Sequence, residues 1–279
     1  MTPAAVKQQA QPPHPAAPPP PSRMTLGAVV SGRVMAPIKA AVYGLEGAGK
    51  TTFAAGAPSP IFIPIEEGTN ALNVQRSPAP ETFGDVLDFL TVLTREKHEF
   101  RTVVLDTLDA LEPMIWAQVC LAGKKPSIEG FGYGKGYVAA LDLWRVLLAR
   151  LEQLRAAKKM NVVLIAHSQI KKFQNPEGED FDRYELKLAG KGAAGLIKEW
   201  TDDLLFATYE VIAATDEEKE RTRGVATGKR IARTVHSGAF DAKSRHELPD
   251  PMPLEWTEYR AALTKFYQAG KPAAEEVKP

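Results

Sequence analysis

A glycine-rich segment near the start of the chain has the composition and spacing of a phosphate-binding loop. Residues 44–51 match the pattern G-x-x-x-x-G-K-[ST], and they directly follow an apolar run that predicts a strand. Glycines suit such a loop because successive backbone N–H groups must turn toward phosphate oxygens with no Cβ in the way. The residues predicted to surround the phosphates of a nucleotide are Gly44, Glu46, Gly47, Ala48, Gly49, Lys50, Thr51 and Thr52.

Two of these side chains, with one carboxylate further along, predict a site for a nucleotide and a magnesium ion. Lys50 can neutralise the β- and γ-phosphates, and the hydroxyl of Thr51 can bind Mg²⁺. The second metal ligand is predicted to be Asp106, which ends an apolar run, because phosphoryl-transfer sites hold their metal with such a carboxylate. Asp109 is the competing carboxylate, but its position three residues after the strand indicates a helix cap or a solvent-facing side chain.

Two further strand ends carry groups that can act on the γ-phosphate. The run 61–65 ends at Glu66, which we predict orients the attacking water, although Glu67 could exchange roles with it. The run 161–166 ends at His167, which either senses the γ-phosphate or has only a structural role. Because ligands of parallel α/β sheets bind at the carboxyl ends of the strands, we expect these groups to lie near the phosphate loop.

Short apolar runs alternate with longer segments of helical period, which is typical of βαβ units and a mainly parallel sheet. The predicted strands are 38–43, 61–65, 103–105, 162–166 and 204–207. A helix is predicted over 82–97, where Thr82 and Asp85 have capping-box spacing. A second helix is predicted over 137–158, with Val138 in its apolar stripe. The predicted fold class is therefore α/β, with helices flanking a mainly parallel sheet.

Composition divides the chain into a folded body and two tails. Eight prolines lie within the first 21 residues, so residues 1–25 are predicted to be a disordered tail, residues 269–279 a flexible one, and 26–268 a single domain. A single cysteine, Cys120, excludes an internal disulfide. We expect a cytoplasmic protein without a membrane anchor, since no apolar run approaches the roughly 18 residues of a membrane span and the N-terminus lacks a signal-peptide pattern.

The order of these motifs resembles a family of RecA-core ATPases that are encoded mainly by bacteriophages and grouped as AAA-type ATP-binding proteins. Some members are associated with single-strand annealing recombination. The resemblance extends over about residues 38–249. The segments that carry it are 44–51, 63–68, 103–106, 131–137, 162–167, 176–184, the strand at Asp203, 242–245 and 248–249. It implies a RecA-like P-loop NTPase core that binds ATP and Mg²⁺.

The resemblance also implies residue roles and partners. Glu66 and His167 occupy the motif positions of the water-orienting residue and the γ-phosphate sensor. Lys243 and Arg245 are implied to reach the ATP of a neighbouring subunit, so that a homo-oligomer binds ATP at its subunit interfaces. The implied process is DNA recombination, repair or replication. The implied partners are single-stranded DNA and a single-strand-binding or annealing protein.

Three segments are candidates for contact with DNA. A β-hairpin is expected to carry Lys171, Lys172 and Phe173, which either bind DNA or face solvent next to an acidic run. Between residues 219 and 245, eight basic residues stand against two acidic ones. This excess favours a surface for DNA or for a neighbour's ATP, or else a hairpin with a charged solvent face. The glycine-aromatic stretch 131–137 is either a mobile base-stacking loop or a packed connector.

Three functions are compatible with these residues. The first is an ATPase that assembles on single-stranded DNA, or assists loading onto it, with Glu66 orienting water. The second is a nucleotide-switched scaffold or loader without significant hydrolysis. The third is a P-loop kinase for a small molecule, with residues 219–233 as the candidate lid. The bulk charge, 35 basic against 34 acidic residues, excludes a uniformly basic DNA-binding coat but does not choose among the three.

Overall fold

A mixed β-sheet forms the centre of the protein. The computed structural model describes residues 24–190, 192–216 and 221–269, so the tails predicted at 1–25 and 269–279 lie almost entirely outside the described residues. The strands are β1 (Lys39–Gly44), β2 (Pro60–Pro64), β3 (Gln75–Arg76), β4 (Thr102–Asp106), β5 (Asn161–Phe173), β6 (Phe181–Leu186), β7 (Asp203–Asp216), β8 (Arg221–Arg233), β9 (Lys243–Ser244) and β10 (Met252–Pro253). Their spatial order is β10-β8-β7-β1-β5-β4-β2-β3, with β6 paired to β5 and β9 to β7.

Parallel pairing joins the strands around the phosphate loop. Strand β1 lies between β5 and β7, and β5 lies between β1 and β4, with every pair parallel. Strand β2 continues the parallel group beyond β4. Antiparallel hairpins extend from this group, one formed by β5 and β6 and the other by β7 and β8. The carboxyl ends of β1, β2 and β4 therefore meet at one edge of the sheet, together with the end of the parallel-paired part of β5 at His167.

Helices cover both faces of the sheet. They are α1 (Lys50–Ala55), α2 (Phe83–Arg95), α3 (Leu108–Gly123), α4 (Lys135–Lys158), α5 (Ala193–Trp200) and α6 (Trp256–Ala269). Residues of α2 to α5 share an apolar cluster with Ala41 and Tyr43, whereas α1 and α6 pack with Ala40 and Val42. None of the described helices is long and apolar enough to cross a membrane. The predicted fold class is confirmed as α/β: a mainly parallel sheet with flanking helices and an added β-hairpin.

The two predicted helices are present, with one error in their packing. The hydroxyl of Thr82 accepts a hydrogen bond from the N–H of Asp85 at 3.2 Å, and the carboxylate of Asp85 accepts one from the N–H of Thr82 at 2.8 Å, so the capping box starts α2. The prediction that Val138 belongs to the buried stripe of α4 is wrong, because its side chain is 63% exposed. Val138 precedes the buried Trp144 by six residues, which turns it about 120° away around the helix.

Strand β7 is longer than its apolar run predicts. The run 204–207 covers the part of β7 that pairs with β1 and is buried on both faces. Beyond Ala207 the strand continues to Asp216, where it pairs with β8 alone. An antiparallel ribbon of this kind does not need apolar residues on both faces, so hydrophobic pattern alone could not locate its end.

A buried polar cluster ties the last helix to the beginning of β7. Asp203, whose side chain is fully buried, accepts hydrogen bonds from the hydroxyls of Ser244 at 2.8 Å and Tyr259 at 2.5 Å. The Nδ1 atom of His246 lies 2.7 Å from the same carboxylate, and its Nε2 lies 3.1 Å from the hydroxyl of Tyr267. Burial, followed by the charge of Asp203, raises the pKa of Tyr259 well above its ordinary value. The cluster thus cross-links β7, β9 and α6.

Candidate functional site

The phosphate loop, residues 44–51, is shaped by three glycines. Gly47 and Gly49 have φ angles of 72° and 93°, in the left-handed region that glycine adopts without strain. A Cβ on Gly44 would lie 2.0 Å from the carbonyl oxygen of Ala207, so this glycine is required by the close approach of β7. The following helix, α1, has only six residues. The N–H groups of the loop itself are therefore the main feature available to bind an anion.

Lys50 and Thr51 lie beside the carboxylate predicted to bind metal. The Nζ atom of Lys50 donates hydrogen bonds to the carbonyl oxygens of Gly44 at 3.1 Å and Leu45 at 2.8 Å. Burial lowers the pKa of Lys50, and the negative charge of Asp106 opposes this effect. The hydroxyl of Thr51 donates a hydrogen bond to Asp106 Oδ2 at 2.8 Å. The structure therefore brings the predicted lysine, hydroxyl and carboxylate together.

Asp106 ends β4 with a buried carboxylate that has a free oxygen. Burial raises the pKa of Asp106 to about 6, against the opposing hydrogen bond from Thr51. Within the described part of the chain, its Oδ1 atom has no hydrogen-bond partner. A carboxylate oxygen and a threonine hydroxyl are the hard oxygen donors that Mg²⁺ prefers, and a metal ion would satisfy this buried atom. The residues present fit a magnesium ion.

Glu66 is held next to Asp106 by its backbone and its side chain. The backbone N–H of Glu66 donates to the carbonyl oxygen of Asp106 at 3.2 Å, and the hydroxyl of Thr107 donates to Glu66 Oε2 at 3.3 Å. Glu66 is half-buried and lines the same cleft as Lys50. Glu67 is exposed and begins a short 3₁₀ turn outside the lining of that cleft. Of the two carboxylates, the structure brings Glu66 to the phosphate loop.

His167 lines the cleft of the phosphate loop and also contacts Asp109, a carboxylate that the sequence placed at a helix cap or in solvent. Asp109 accepts hydrogen bonds from the backbone N–H of His167 at 2.9 Å and from its ring Nδ1 at 2.8 Å. The expectation that Asp109 caps a helix or faces solvent is therefore wrong, since Thr107 is the cap of α3 and the Asp109 side chain is only 11% exposed. The spacing along the chain could not show that His167 of β5 lies opposite Asp109. The hydrogen bond to Asp109 raises the pKa of His167, although burial opposes it.

Asp109→Asn is expected to destabilise the protein in a pH-dependent way. Burial alone would raise the pKa of Asp109, but hydrogen bonds from His167 lower it below 3.8. The pair thus stabilises the fold from about pH 4 upward, and its contribution is lost as pH rises through the raised pKa of His167, above 6.5. Urea unfolding between pH 5 and 9 should give a loss of about 1–3 kcal/mol at low pH that shrinks at high pH.

Asp180→Asn is the matched control, because this exposed carboxylate pairs with Lys172 at 3.7 Å on the surface of the β5–β6 hairpin. Its effect should stay below about 1 kcal/mol at every pH. A loss of stability in Asp109→Asn that is equal from pH 5 to pH 9 would contradict an ionic contribution from His167.

The predicted residues line one cleft of about 340 Å³ at the carboxyl ends of the strands. Its lining includes Lys50, Thr51, Glu66, Asp106, His167 and Arg230. In the sequence, Arg230 stands only as one of eight basic residues between 219 and 245, with no site role of its own. The one sequence signal was that segment's excess of positive charge, which did not distinguish Arg230 from its neighbours.

The structure does not bring Lys243 and Arg245 to the phosphate loop of their own chain. They lie in and just after β9, which pairs with the first residues of β7, at the opposite edge of the sheet from the loop. Lys243 donates a hydrogen bond to the carbonyl oxygen of Lys198, and Arg245 forms an ion pair with Asp202 at 3.0 Å. A contact of these residues with ATP would have to be made in a neighbouring subunit.

The segment 219–245 is a β-hairpin arm followed by a loop, and most of its described basic groups have partners nearby. Lys219 lies outside the described residues. Three of the described ion pairs are Lys229 with Glu210, Arg233 with Asp250, and Arg245 with Asp202. Because these carboxylates come from outside the counted segment, its local charge excess overstates the free positive charge on this surface.

The other two candidate DNA segments are partly packed. In the β5–β6 hairpin, the rings of Phe173 and Phe181 lie 5.2 Å apart, and the guanidinium of Arg183 lies 4.5 Å from the Phe173 ring. In the stretch 131–137, Phe131 packs closely against Gly123, as a connector would. Tyr133 is fully exposed, between two glycines with positive φ. The stretch therefore combines a packed anchor with one exposed aromatic ring.

Comparison with known proteins identifies the family of this chain. Residues 36–246 match a family model described as an AAA domain, a span that includes the whole lining of the cleft. No match is found among curated proteins. Among solved structures, the crystal structure of the RadB recombinase is similar at 16% sequence identity, with a TM-score of 0.40, over 71% of this chain and 80% of that chain. The chain belongs to the AAA domain family and is a nucleotide-binding P-loop ATPase.

Proposed function

We propose that this protein binds and hydrolyses Mg²⁺-ATP with a RecA-like core and acts with single-stranded DNA in recombination, repair or replication. The proposal of hydrolysis is supported by one observation. A single cleft is lined by Lys50, Thr51, Asp106 and Glu66. A glycine-rich loop alone is sufficient to bind phosphate. The two carboxylates add the metal ligand and the water-positioning group that a phosphoryl-transfer site needs.

The residues of the loop and of β4 hold the ligand in this proposal. Backbone N–H groups of residues 44–51 and the ammonium of Lys50 bind the phosphate oxygens. Thr51 and Asp106 hold the magnesium ion, which neutralises phosphate charge when bound. Binding of metal favours the ionised carboxylate, so it offsets the effect of burial on the pKa of Asp106.

Glu66 and His167 act at the terminal phosphate. The carboxylate of Glu66 accepts a hydrogen bond from the attacking water and aligns it, while Thr107 fixes the orientation of that carboxylate. The ring of His167 is held by Asp109 and senses the terminal phosphate. Because β5 continues from His167 into the β5–β6 hairpin, a change at this ring reaches the surface through one strand.

A second cleft supports a nucleotide as the ligand in preference to a simple anion. It has a volume of about 950 Å³ and shares Thr52 and Arg230 with the cleft of the phosphate loop. Its other walls come from β7, β8 and the residues around β10. The two clefts lie side by side, because they share lining residues, and the larger one has room for a nucleoside next to the phosphates.

The DNA-related part of the proposal rests on the family resemblance and on exposed groups. Tyr133 offers a solvent-exposed ring of the kind on which bases stack, and Lys171 and Lys172 lie on the β5–β6 hairpin that follows His167. We extend the proposal to a cytoplasmic homo-oligomer in which Lys243 and Arg245 reach the neighbouring ATP. A single-strand-binding or annealing protein is its proposed partner.

ATP hydrolysis measured with and without single-stranded DNA tests this function. The expected result is Mg²⁺-dependent turnover that DNA increases, that falls as salt rises, and that Lys50→Ala abolishes. Turnover that is indifferent to DNA would overturn the DNA-related part. Tight ATP binding without turnover would favour the nucleotide-switched scaffold, and transfer of phosphate to a small molecule would favour the kinase.

A further inference from the structure

Arg230 lies directly over the phosphate loop of its own chain. A Cβ placed on Gly49 would be 2.8 Å from Arg230 Cδ and 3.2 Å from one of its terminal guanidinium nitrogens. Arg230 also lines the cleft that contains Lys50 and Asp106. No described residue forms a hydrogen bond or an ion pair with its guanidinium, whereas Arg233 on the same strand pairs with Asp250 at 3.3 Å. A cationic group beside a phosphate loop is therefore available to a ligand.

The backbone on both sides of Arg230 fixes its position. Arg230 stands opposite Tyr209 in the β7–β8 pairing, so the two side chains lie on the same face of the ribbon. The carbonyl oxygen of Arg230 accepts a hydrogen bond from the N–H of Leu254 at 3.0 Å. The hydroxyl of Tyr209 donates to the carbonyl oxygen of Gly47 at 2.9 Å. The ribbon is thus attached to the loop at Gly47 and carries Arg230 next to Gly49.

The register of the ribbon changes immediately beside this pair. Tyr209 pairs with Arg230 and Val211 pairs with Ala226, so one residue of β7, Glu210, faces three residues of β8. Gly228, in the middle of these three, has a φ angle of 80°, which suits glycine. A bulge of this kind re-aims the neighbouring side chains, and here it lies next to the residue that covers the phosphate loop.

A second cation in the cleft would help to neutralise the phosphates of a bound nucleotide. ATP carries negative charge on all three phosphates, and phosphoryl transfer is accelerated when an arginine stabilises the charge that develops on them. Lys50 is the loop's own cation, and its ammonium already donates hydrogen bonds to the carbonyl oxygens of Gly44 and Leu45. A guanidinium stays charged at every physiological pH and matches phosphate oxygens with two donors at once.

We propose that Arg230 binds the phosphates of the nucleotide held by its own chain, as an arginine supplied in cis. This inference rests on the proposed function, because it assumes that ATP is the ligand of the loop. It differs from the role implied for Lys243 and Arg245, which would act on a neighbouring subunit. In our proposal each chain carries both the phosphate loop and the arginine that completes it.

Three substitutions of Arg230 test the contact by ATP binding and turnover. Arg230→Ala and Arg230→Gln should weaken ATP binding about tenfold or more and lower turnover about a hundredfold. Arg230→Lys should recover only part of the affinity, because it restores the charge but not the paired donors of the guanidinium. The matched control is Arg233→Ala on the same strand, which should change neither quantity by more than about twofold. Thermal unfolding of each variant identifies any loss of folding.

A subunit-mixing experiment distinguishes an arginine in cis from one in trans. Arg230→Ala protein is mixed with Lys50→Ala protein, so that each defective chain meets a partner with the complementary intact group. If Arg230 acts in cis, the mixture has no more activity than the two proteins separately. A rise in turnover on mixing would show that Arg230 acts on a neighbour, and would overturn the proposal.

The experiments distinguish a failure of the proposed ATPase function from a failure of the proposed role of Arg230. Wild-type protein that neither binds nor hydrolyses ATP, like Lys50→Ala, would overturn the proposed function and this inference with it. Wild-type protein that is active, with Arg230→Ala matching Arg233→Ala in affinity and turnover, would overturn the cis arginine alone. Arg230→Lys that is as weak as Arg230→Ala would contradict a contact that depends on charge.

Discussion

Glu66→Gln is expected to lower ATP turnover by about two to four orders of magnitude, the range in which positioned acids and bases contribute. ATP affinity should remain within about threefold of the wild-type value. The reason is that the amide keeps the shape of the side chain and its contact with Thr107 but loses the carboxylate that accepts a proton from water. Loss of the Glu66 charge also removes one of the influences that raise the pKa of Asp106, so metal binding should not suffer. Steady-state turnover and a separate binding isotherm measure the two quantities.

Glu67→Gln is the matched control for this experiment. It makes the same chemical change one residue along the chain, at an exposed side chain outside the lining of the cleft. Its turnover should equal that of the wild type within about twofold. A loss of turnover in Glu67→Gln with full activity in Glu66→Gln would exchange the roles of the two residues. Full activity in both variants would remove this pair from the mechanism.

Asp203→Ala is expected to reduce the free energy of unfolding by about 3–5 kcal/mol, because each buried polar group left without its partner costs about 1–3 kcal/mol. The substitution leaves the hydroxyls of Ser244 and Tyr259 and the ring of His246 without their shared acceptor. For a chain of this size the loss corresponds to a fall in melting temperature of roughly 10 °C. Calorimetry or denaturant unfolding measures it.

Asp202→Ala provides the comparison at the neighbouring position. Asp202 is also an aspartate, but its side chain is 18% exposed, and its ion-pair partners are the exposed Arg245 at 3.0 Å and Lys39 at 3.9 Å. Ion pairs near the surface contribute about 1 kcal/mol or less, so this variant should stay close to the wild type. Equal losses in the two variants would show that burial of the Asp203 cluster does not contribute the stability assigned to it.

Much of the site could be predicted from sequence because its residues stand in or directly after short motifs. The phosphate loop, Asp106, Glu66 and His167 each lie at or just after the end of an apolar run that predicts a strand, and the carboxyl ends of neighbouring parallel strands lie at one edge of the sheet. Residues that reach the cleft from the side carry no such signal. Arg230 arrives through the pairing of β8 with β7, which no pattern around residue 230 records.

The fold shows the same division between local and non-local information. The capping box of Thr82 and Asp85 is encoded within four residues, and it is present as predicted. Helix α3 was not predicted, because its sequence is apolar on most sides and contains Pro113, so it lacks the polar stripe that marks a surface helix. The position of Asp109 depends on which strand lies opposite, and this is decided by packing of the whole sheet.

The close approach at Gly44 bears on whether this phosphate loop could be transplanted. The backbone of Gly44 meets the carbonyl oxygen of Ala207 at a distance that leaves no space for a Cβ. Two residues further along the same strand, the hydroxyl of Tyr209 donates a hydrogen bond to the carbonyl oxygen of Gly47. Grafting residues 44–51 into another protein would therefore require a neighbouring strand at the same spacing, with a tyrosine at the same register. The eight-residue motif therefore does not define the shape of the loop by itself. The structural unit is the loop together with β7.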